Sequence, residues 1–494
     1  MAKQLRVLFL SSEVEPFAKT GGLADVAGAL PKFIKGLDHE IRVMMPRYGS
    51  INERVSRLHD MSRLSDIRIP VGKQEYQGSV QSSFLSNGHG KVQVYFLSNP
   101  DLFGRKGMYV HPETGKEFPD NDDRFIFFCR GVLETLKALA WQPDVIHCND
   151  WHTGLVPAYL KTIYKDDPFY KGTKTLFTIH NMAYQGVFPK QSFAKTLLPE
   201  EFSNDKGIAQ NGSINMLKAG LLFADGINTV SEKYAEEIAS SPEFGFGLED
   251  LIKKRKADVG GILNGADYHL WSPEVDPHIP HKYDSGTIEV KKQNTAALRK
   301  LMGLTEMENT PVIGIVSRLA EQKGIDLLCD AMDDIMALGV QMVVLGVGPK
   351  EFSKPLESAA RKYKERIAVD GTFNEPLAHL IEAGSDMFLM PSRYEPCGLN
   401  QLYSMRYGTV PIARATGGLE DTIEEFSPEK KTGTGFKFVA FEKRELVKTI
   451  QRAVKTYSDP DAWRALMLNG MGKDFSWGES AKKYVQRYRA LERR

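Results

Sequence analysis

The sequence predicts an α/β protein built from two Rossmann-like, doubly wound domains that face each other across a cleft. Short, continuous apolar runs alternate with helical patterns along the whole chain. Such runs, each followed by a helix, are typical of parallel strands whose sheet is covered on both faces. A chain of 494 residues is also too long for a single hydrophobic core, which favours two domains.

Apolar runs mark the predicted strands in both halves of the chain. Those of the first half are RVLFLSS (6–12), DVIHCND (144–150), TLFTIHN (175–181) and DGINTVS (225–231). Those of the second half are PVIGIVSRL (311–319), QMVVLGVG (341–348), RIAVDGTF (366–373), DMFLMPSR (386–393) and VPIARATGG (410–418). Helical patterns lie between them, as a doubly wound sheet requires.

We expect the first domain to comprise residues 1–260 and the second to comprise residues 261–475. The stretch 258–277 combines glycines, an Asn-Gly pair and prolines, which are typical of a linker. Residues 476–494 have a helical pattern. We expect this C-terminal helix to pack back on the first domain.

The composition gives no reason to expect nucleic acid or a membrane as a partner. The net charge is +1, so a bound anion must be met by a few placed cations. The apolar run before Ser11 is too short for a signal peptide, and no segment is long enough to span a membrane. Four scattered cysteines without a CxxC motif indicate a reducing compartment, so we expect a cytoplasmic protein.

Ligands of open parallel sheets bind beyond the carboxyl ends of the strands, so the residues there are candidate site residues. Lys19, Gly21 and Gly22 lie between the first strand and its helix. Paired glycines let backbone amides approach a ligand, and a helix start favours an anion. The stretch is either a phosphate-binding loop or an ordinary turn. Neither the GxGxxG dinucleotide motif nor GxxxxGK[ST] occurs in the chain.

Two cations follow the first strand of the second half. Arg318 and Lys323 are five residues apart across a turn, and Gly324 opens the next helix. Such a pair is able to converge on one diphosphate and neutralise it without a metal ion. A solvated turn is the equally good alternative.

The loop PSRYEPCGL (391–399) joins another buried strand to a helix. The backbone amides of Gly398 and Leu399 should point out of the helix start toward an anion. Glu395 would repel an anion, so it is expected to face a neutral, hydroxyl-rich group or a centre that becomes positive during reaction. A surface salt bridge is the alternative. We expect Cys397 to be a small packing residue, since no histidine is near it in sequence.

Polar residues also follow two strands of the first half. His180 and Asn181 end one run, and Asp150 and His152 follow another. Such groups are candidates for contacts with sugar hydroxyls, although a lone histidine is more often structural. The DND triplet at residues 120–122 fits a DxD metal motif by chance only, so we predict no metal site. Together the candidates favour a nucleotide diphosphate held by cations and a neutral sugar near Glu395.

Seven motifs in this chain, in order, resemble the bacterial glycogen synthases and plant starch synthases. They are KTGGLADV, HNMAYQG, ILNGAD, SRLAEQKG, PSRYEPCGL, TGGLEDT and DFSW, and the likeness runs from about residue 5 to 490. The resemblance implies a GT-B fold and transfer of glucose from ADP-glucose to the non-reducing end of an α-1,4-glucan, with retention of anomeric configuration. It implies that the first domain takes the glucan acceptor and the second the nucleotide sugar. It also implies a hexosyltransferase of glycogen biosynthesis that needs no cofactor.

The resemblance also implies individual roles. Four residues match the family's catalytic positions: Lys19, Arg318, Lys323 and Glu395. Lys19, Arg318 and Lys323 also belong to the nucleotide-sugar site, together with Gly22, His180, Asn264, Phe373, Cys397, Gly398, Leu399, Thr416 and Gly417. Phe373 stands where many members have a tyrosine stacked on adenine, and Thr20 where many bacterial members have valine. Whether Glu395 touches the anomeric centre or only orients a hydroxyl stays open.

Two other functions use similar folds. A nicotinamide oxidoreductase would need a GxGxxG motif with an acidic residue about 20 positions further on, and neither is found. A glucan-binding protein that has lost catalysis is disfavoured because all the cationic and carboxylate positions are filled. The base of the donor nucleotide is indicated by the family likeness alone, since nothing else in the sequence separates adenine from uracil.

Overall fold

The computed structural model describes residues 3–87, 90–372 and 374–493. It divides into two compact units. The first comprises the chain up to Val230, Ala235–Ile262 and the segment from Trp477 onward. The second comprises Ser231–Tyr234 and Leu263–Ser476. The first unit therefore includes the C-terminal segment as well as the N-terminal half.

The strands follow the predicted runs, with several additions. Those up to residue 98 are β1 (Arg6–Leu10), β2 (Glu40–Pro46), β3 (His59–Asp60), β4 (Ile67–Val71), β5 (Gln74–Asn87) and β6 (Gly90–Ser98). The next are β7 (Val145–Asn149), β8 (Lys174–Ile179), β9 (Val187–Pro189), β10 (Ala209–Gln210), β11 (Ser213–Asn215), β12 (Gly226–Thr229) and β13 (Val259–Gly261). The last are β14 (Val312–Val316), β15 (Gln341–Leu345), β16 (Ile367–Asp370), β17 (Met387–Met390), β18 (Val410–Arg414) and β19 (Phe436–Phe438).

Helices connect these strands in both units. The first nine are α1 (Gly22–Gly36), α2 (Pro100–Phe103), α3 (Asn121–Ala138), α4 (Leu155–Lys161), α5 (Phe193–Thr196), α6 (Met216–Phe223), α7 (Glu232–Glu237), α8 (Pro242–Gly245) and α9 (Glu249–Lys254). The others are α10 (Lys291–Met302), α11 (Ile325–Ala337), α12 (Lys350–Lys362), α13 (Glu375–Gly384), α14 (Asn400–Arg406), α15 (Gly417–Thr422), α16 (Lys443–Tyr457), α17 (Pro460–Met471) and α18 (Trp477–Glu492).

The predicted α/β class with two parallel sheets is confirmed. The main sheet of the first unit has the order β13-β12-β8-β7-β1-β2-β6-β5-β3, and that of the second β16-β15-β14-β17-β18-β19. The second sheet is parallel throughout. In the first, β5 instead pairs antiparallel with β6, β4 and β3. The sequence analysis did not predict these edge strands, because β5 mixes polar and apolar residues and has no continuous apolar run.

Side chains of the second sheet alternate between two buried cores. Along β14 and β15, one core receives Ile313, Ile315, Met342 and Val344. The other receives Val312, Val343 and Leu345. Successive side chains of a strand point to opposite faces, so burial of both faces explains why these strands are apolar without interruption.

The C-terminal helix α18 packs within the first unit. The Tyr488 hydroxyl lies 2.7 Å from His147 Nδ1 in β7, and both residues are fully buried. Asn228 Nδ2 in β12 donates to the Tyr484 hydroxyl at 3.2 Å. The helix thereby links two strands of the parallel sheet. No helix in the described parts of the chain is long and apolar enough to cross a membrane.

Each of the two large sheets has a switch point, at which the chain begins to add parallel strands on the other side of the sheet's first strand. In the first unit this switch point lies between β1 and β7, and in the second between β14 and β17. Loops that leave neighbouring strands in opposite directions open a crevice there, which is the usual ligand site of such sheets. Within each unit, the candidate residues that follow the two strands at the switch point are therefore expected to lie closest together.

Candidate functional site

Lys323 and Glu395 form a close ion pair at the switch point of the second unit. Lys323 Nζ lies 2.6 Å from Glu395 Oε2 and 2.9 Å from Oε1, so it contacts both carboxylate oxygens. Ser392 Oγ donates to Oε2 at 2.9 Å. The Glu395 side chain is 6% exposed and that of Lys323 is 20% exposed. A carboxylate and an ammonium group are thus held in one partly enclosed place, with the carboxylate the deeper of the two.

Close backbone packing holds the Glu395 loop in place. A Cβ on Gly417 would lie 2.0 Å from the Glu395 backbone oxygen, and one on Gly418 would lie 2.0 Å from that of Cys397. The Gly418 N–H donates to the Glu395 oxygen at 3.1 Å. Gly417 also has a φ of 45°, which glycine adopts without strain. The start of α15 therefore fits directly against the loop, and the two glycines allow that approach.

Cys397 and Asn264 line the inner side of the same loop. Burial raises the pKa of the Cys397 thiol to about 12, so this residue is a neutral thiol at physiological pH. The Asn264 backbone lies close enough to the thiol to lower this pKa slightly, against the larger effect of burial. The Asn264 side-chain oxygen is buried and has no hydrogen-bond partner among the described residues. A buried acceptor without a partner is suited to a ligand hydroxyl or a bound water.

The other predicted residues of the second unit lie on the loops that follow its strands or outside the described range. Arg318 lies two residues after the end of β14 and is exposed. Thr416 is buried just before α15, and Leu399 precedes α14. Phe373 lies outside the described residues.

In the first unit, a buried carboxylate lies at the N-terminal end of α1. Glu13, which is 4% exposed, accepts hydrogen bonds from Thr20 N at 2.5 Å and Gly21 N at 3.1 Å. It also accepts from the Thr20 hydroxyl at 2.5 Å and from the Tyr109 hydroxyl at 2.9 Å. Within the stretch considered as a phosphate-binding loop, the Gly21 amide therefore already holds a carboxylate. A Cβ on Gly22 would meet no atom within 4 Å, and Lys19 Nζ lies 2.6 Å from Asp25.

His180 is held in one tautomer at the end of β8. Its Nε2 lies 2.8 Å from Asn149 Oδ1, while Asn149 Nδ2 donates to the Leu10 oxygen at 2.8 Å. That second bond identifies Oδ1 as the acceptor, so Nε2 carries the proton. Burial lowers the pKa of His180 to about 3, which keeps the ring neutral. Its Nδ1 therefore carries no proton and is able to accept a hydrogen bond.

Asp150 lies beside His180, directly after β7. Its Oδ1 accepts from the His180 backbone N–H at 2.7 Å, and the residue has a φ of 56°, unusual for a side chain of this size. Burial raises its pKa to about 7. Strained backbone and a shifted pKa commonly occur together at functional sites.

We expect the Asp150→Asn protein to gain stability relative to the wild type as pH rises. The Asp150 carboxyl ionises near 3.8 when unfolded and near 7 when folded, so its charge costs stability increasingly between these values and fully above them. Asparagine keeps an acceptor oxygen and avoids that cost. Melting temperatures of both proteins from pH 4 to 8 test this, and a constant difference would contradict it.

The structure brings some predicted residues together and adds others. Lys323, Glu395, Cys397 and Asn264 meet in the second unit, while His180 meets Asp150 in the first. Sequence analysis missed Glu13, although it follows a buried strand just as Asp150 does. In the described residues no group of three or more His, Cys, Asp or Glu side chains is arranged to hold a metal ion.

Two family models match the chain. Residues 6–254 match the starch synthase catalytic domain, and residues 303–465 match the glycosyl transferases group 1. The first match covers most of the first unit and the second match most of the sheet of the second.

Curated relatives and solved structures agree with these models. Glycogen synthase 1 of Methylococcus capsulatus is 45% identical over 98% of this chain and 96% of its own length. Glycogen synthase of Moorella thermoacetica is 44% identical over 100% and 98%. The catalytic domain of starch synthase IV from Arabidopsis thaliana, bound to ADP and acarbose, has a TM-score of 0.90 at 29% identity over the full length of both chains. Sucrose-phosphate synthase from Thermosynechococcus elongatus shares the fold, with a TM-score of 0.59 at 18% identity over 99% of both chains.

Proposed function

The chain belongs to the starch synthase and bacterial glycogen synthase family, and on that basis we propose that it is a glycogen synthase. It transfers glucose from ADP-glucose to the non-reducing end of an α-1,4-glucan, and the anomeric configuration is retained. The observation that carries this proposal is the partly buried ion pair of Lys323 with Glu395 at the switch point of the second unit. Its four free cysteines fit a role in the reducing cytoplasm.

The ion pair provides one negative and one positive group for the two ends of the bond that breaks. As the anomeric carbon separates from the diphosphate oxygen, the sugar ring gains positive charge and the leaving oxygen negative charge. Glu395 faces the sugar, while Lys323 and the exposed Arg318 face the diphosphate. The anomeric carbon bonds to the acceptor oxygen on the face from which the diphosphate departs. The departing phosphate oxygen takes the electron pair of the broken bond and the proton of the acceptor hydroxyl, and ADP leaves.

The remaining residues bind and orient the donor. Backbone groups of Cys397, Gly398 and Leu399, with Thr416 and Gly417, contact the phosphates and the sugar. The family likeness assigns the contact with adenine to Phe373, which lies outside the described residues. Asn264 presents its unpartnered side-chain oxygen to the donor. For the first unit, the family likeness assigns a sugar contact to His180 and a phosphate contact to Lys19 with Gly22. Support for Lys19 is weaker, because Asp25 already pairs with it.

A donor panel tests the proposed reaction. The purified protein is incubated with glycogen and with ADP-glucose, UDP-glucose or GDP-glucose, and both nucleotide release and incorporation of labelled glucose are measured. We expect ADP-glucose to be used with the highest kcat/KM. Preference for UDP-glucose would correct the donor, and release of nucleotide without glucan elongation would contradict transfer.

We expect transfer to proceed without a divalent metal ion. Arg318 and Lys323 supply two positive charges for the diphosphate, which is the task that magnesium performs in many phosphate sites. Activity measured after dialysis against EDTA should equal that of the untreated enzyme. Loss of activity in EDTA that returns with magnesium would show that the cations are insufficient.

A further inference from the structure

The side-chain amide of Gln401 lies against the loop that carries Cys397 and Gly398. Gln401 is fully buried on α14, and its Nε2 donates to the backbone oxygens of Cys397 at 3.0 Å and of Gly398 at 3.1 Å. A third contact reaches Thr422 Oγ1 on α15 at 3.2 Å. One NH₂ group therefore connects two consecutive peptide oxygens of the loop with the neighbouring helix.

These contacts determine the direction of two peptide planes. In a trans peptide the C=O and the following N–H point in opposite directions. Because the oxygens of Cys397 and Gly398 both face Gln401, the N–H groups of Gly398 and Leu399 both point away from it. In the segments that the structure describes, neither N–H donates to a protein acceptor.

The backbone between these two N–H groups has the geometry of an anion site. Gly398 has a φ of 72°, and Leu399 follows with a φ of −119° and a ψ of −32°. Successive N–H groups at such a change of handedness converge on a concave surface that favours anions. A Cβ at position 398 would lie 2.5 Å from Gln401 Oε1, so glycine also permits the close approach of the amide.

The side-chain oxygen of Gln401 shows that this residue is not optimised for stability. Its Oε1 is buried and has no hydrogen-bond partner among the described residues. An unpaired buried amide oxygen is destabilising, and an apolar side chain of the same size would avoid that cost. Local choices that cost stability are expected mainly where function requires them.

We propose that Gln401 is a positioning residue that directs the N–H groups of Gly398 and Leu399 toward the departing diphosphate. The inference rests on the proposed function and adds to it a residue that contacts neither substrate. Preorganised donors act most strongly on charge that grows in the transition state. Gln401 should therefore support turnover, and affinity for the fully charged product ADP, more than it supports donor binding.

The test replaces Gln401 by methionine, which keeps the length of the side chain and removes the NH₂ group. We expect kcat with ADP-glucose and glycogen to fall by about tenfold or more, with a smaller change in donor KM. Gln401→Glu, which replaces the donor by an acceptor, should lose at least as much. The matched control is Ser404→Ala, since Ser404 is fully buried on the same helix and donates to Glu382 at 2.7 Å. The control should lose stability and retain kcat.

Calorimetric titration with ADP separates this inference from the proposed function. If the wild type binds ADP without transferring glucose, the proposed function is wrong. A loss of ADP affinity in Gln401→Met that Ser404→Ala does not share supports the positioning role. If Gln401→Met and Gln401→Glu match the control in both kcat and ADP affinity, Gln401 is structural and the inference is overturned. A wild type that binds no ADP overturns both.

Discussion

Replacement of Glu395 by glutamine should reduce glucosyl transfer by about a hundredfold or more while the second unit stays folded. Glutamine keeps the size of the side chain and an acceptor for Ser392, but it removes the negative charge that faces the sugar. The developing positive charge of the ring is then uncompensated in a place where only 6% of the Glu395 side chain is exposed to water. Steady-state kinetics and a thermal melt of the same preparations measure both parts of this expectation.

Glu382→Gln is the matched control for Glu395. Glu382 is equally buried in the same unit and likewise accepts from a serine, Ser404, at 2.7 Å. Burial raises the pKa of Glu382 to about 8, so it is mostly protonated at neutral pH and glutamine is a close substitute. The control should retain kcat. Activity of Glu395→Gln within about twofold of this control would remove Glu395 from the mechanism.

Arg318→Ala and Lys323→Ala should each lower kcat more than they raise the donor KM. The diphosphate carries charge in the ground state, so both residues contribute to binding, but charge on the leaving oxygen grows only as the bond breaks. A donor aimed at such charge is worth ~3 kcal/mol, or about a hundredfold in rate. Arg318→Lys should recover only part of the loss because the planar guanidinium is lost. A raised KM with unchanged kcat would make the two residues a binding clamp only.

The structure predicts a difference between these two cations. Arg318 is exposed, so its removal should leave the melting temperature unchanged. Lys323 contacts both oxygens of Glu395, so Lys323→Ala leaves a buried carboxylate without its cation and should also destabilise the protein. The exposed Lys362, paired with Asp333 at 2.7 Å, is the control lysine, and its replacement should change neither quantity. Additive effects of Lys323→Ala and Glu395→Ala on kcat would contradict a coupled pair.

Position relative to strand ends was the most informative feature of the sequence. Asp150 and His180 come directly after β7 and β8 in the structure, and Lys323 and Glu395 lie in the loops that follow β14 and β17. Glu13 also follows an apolar run, that of β1, but the glycine pair at the start of α1 led to the prediction of a phosphate site there. Gln401 had no comparable signal, because one glutamine inside a helical pattern does not differ from a surface residue.

The sequence by itself determined the two α/β units, four strands of the first sheet (β1, β7, β8 and β12), five of the second (β14 to β18) and the loops that carry the candidate residues. These features depend on local patterns, since an apolar run followed by a helix is recognisable within a few tens of residues. Only the tertiary structure decided that Lys323 pairs with Glu395, 72 positions away, and that Glu13 takes the amides at the start of α1. Such contacts depend on which strands are neighbours and on how closely two backbones approach. Strand order is set by packing of the whole unit, and no local periodicity encodes it.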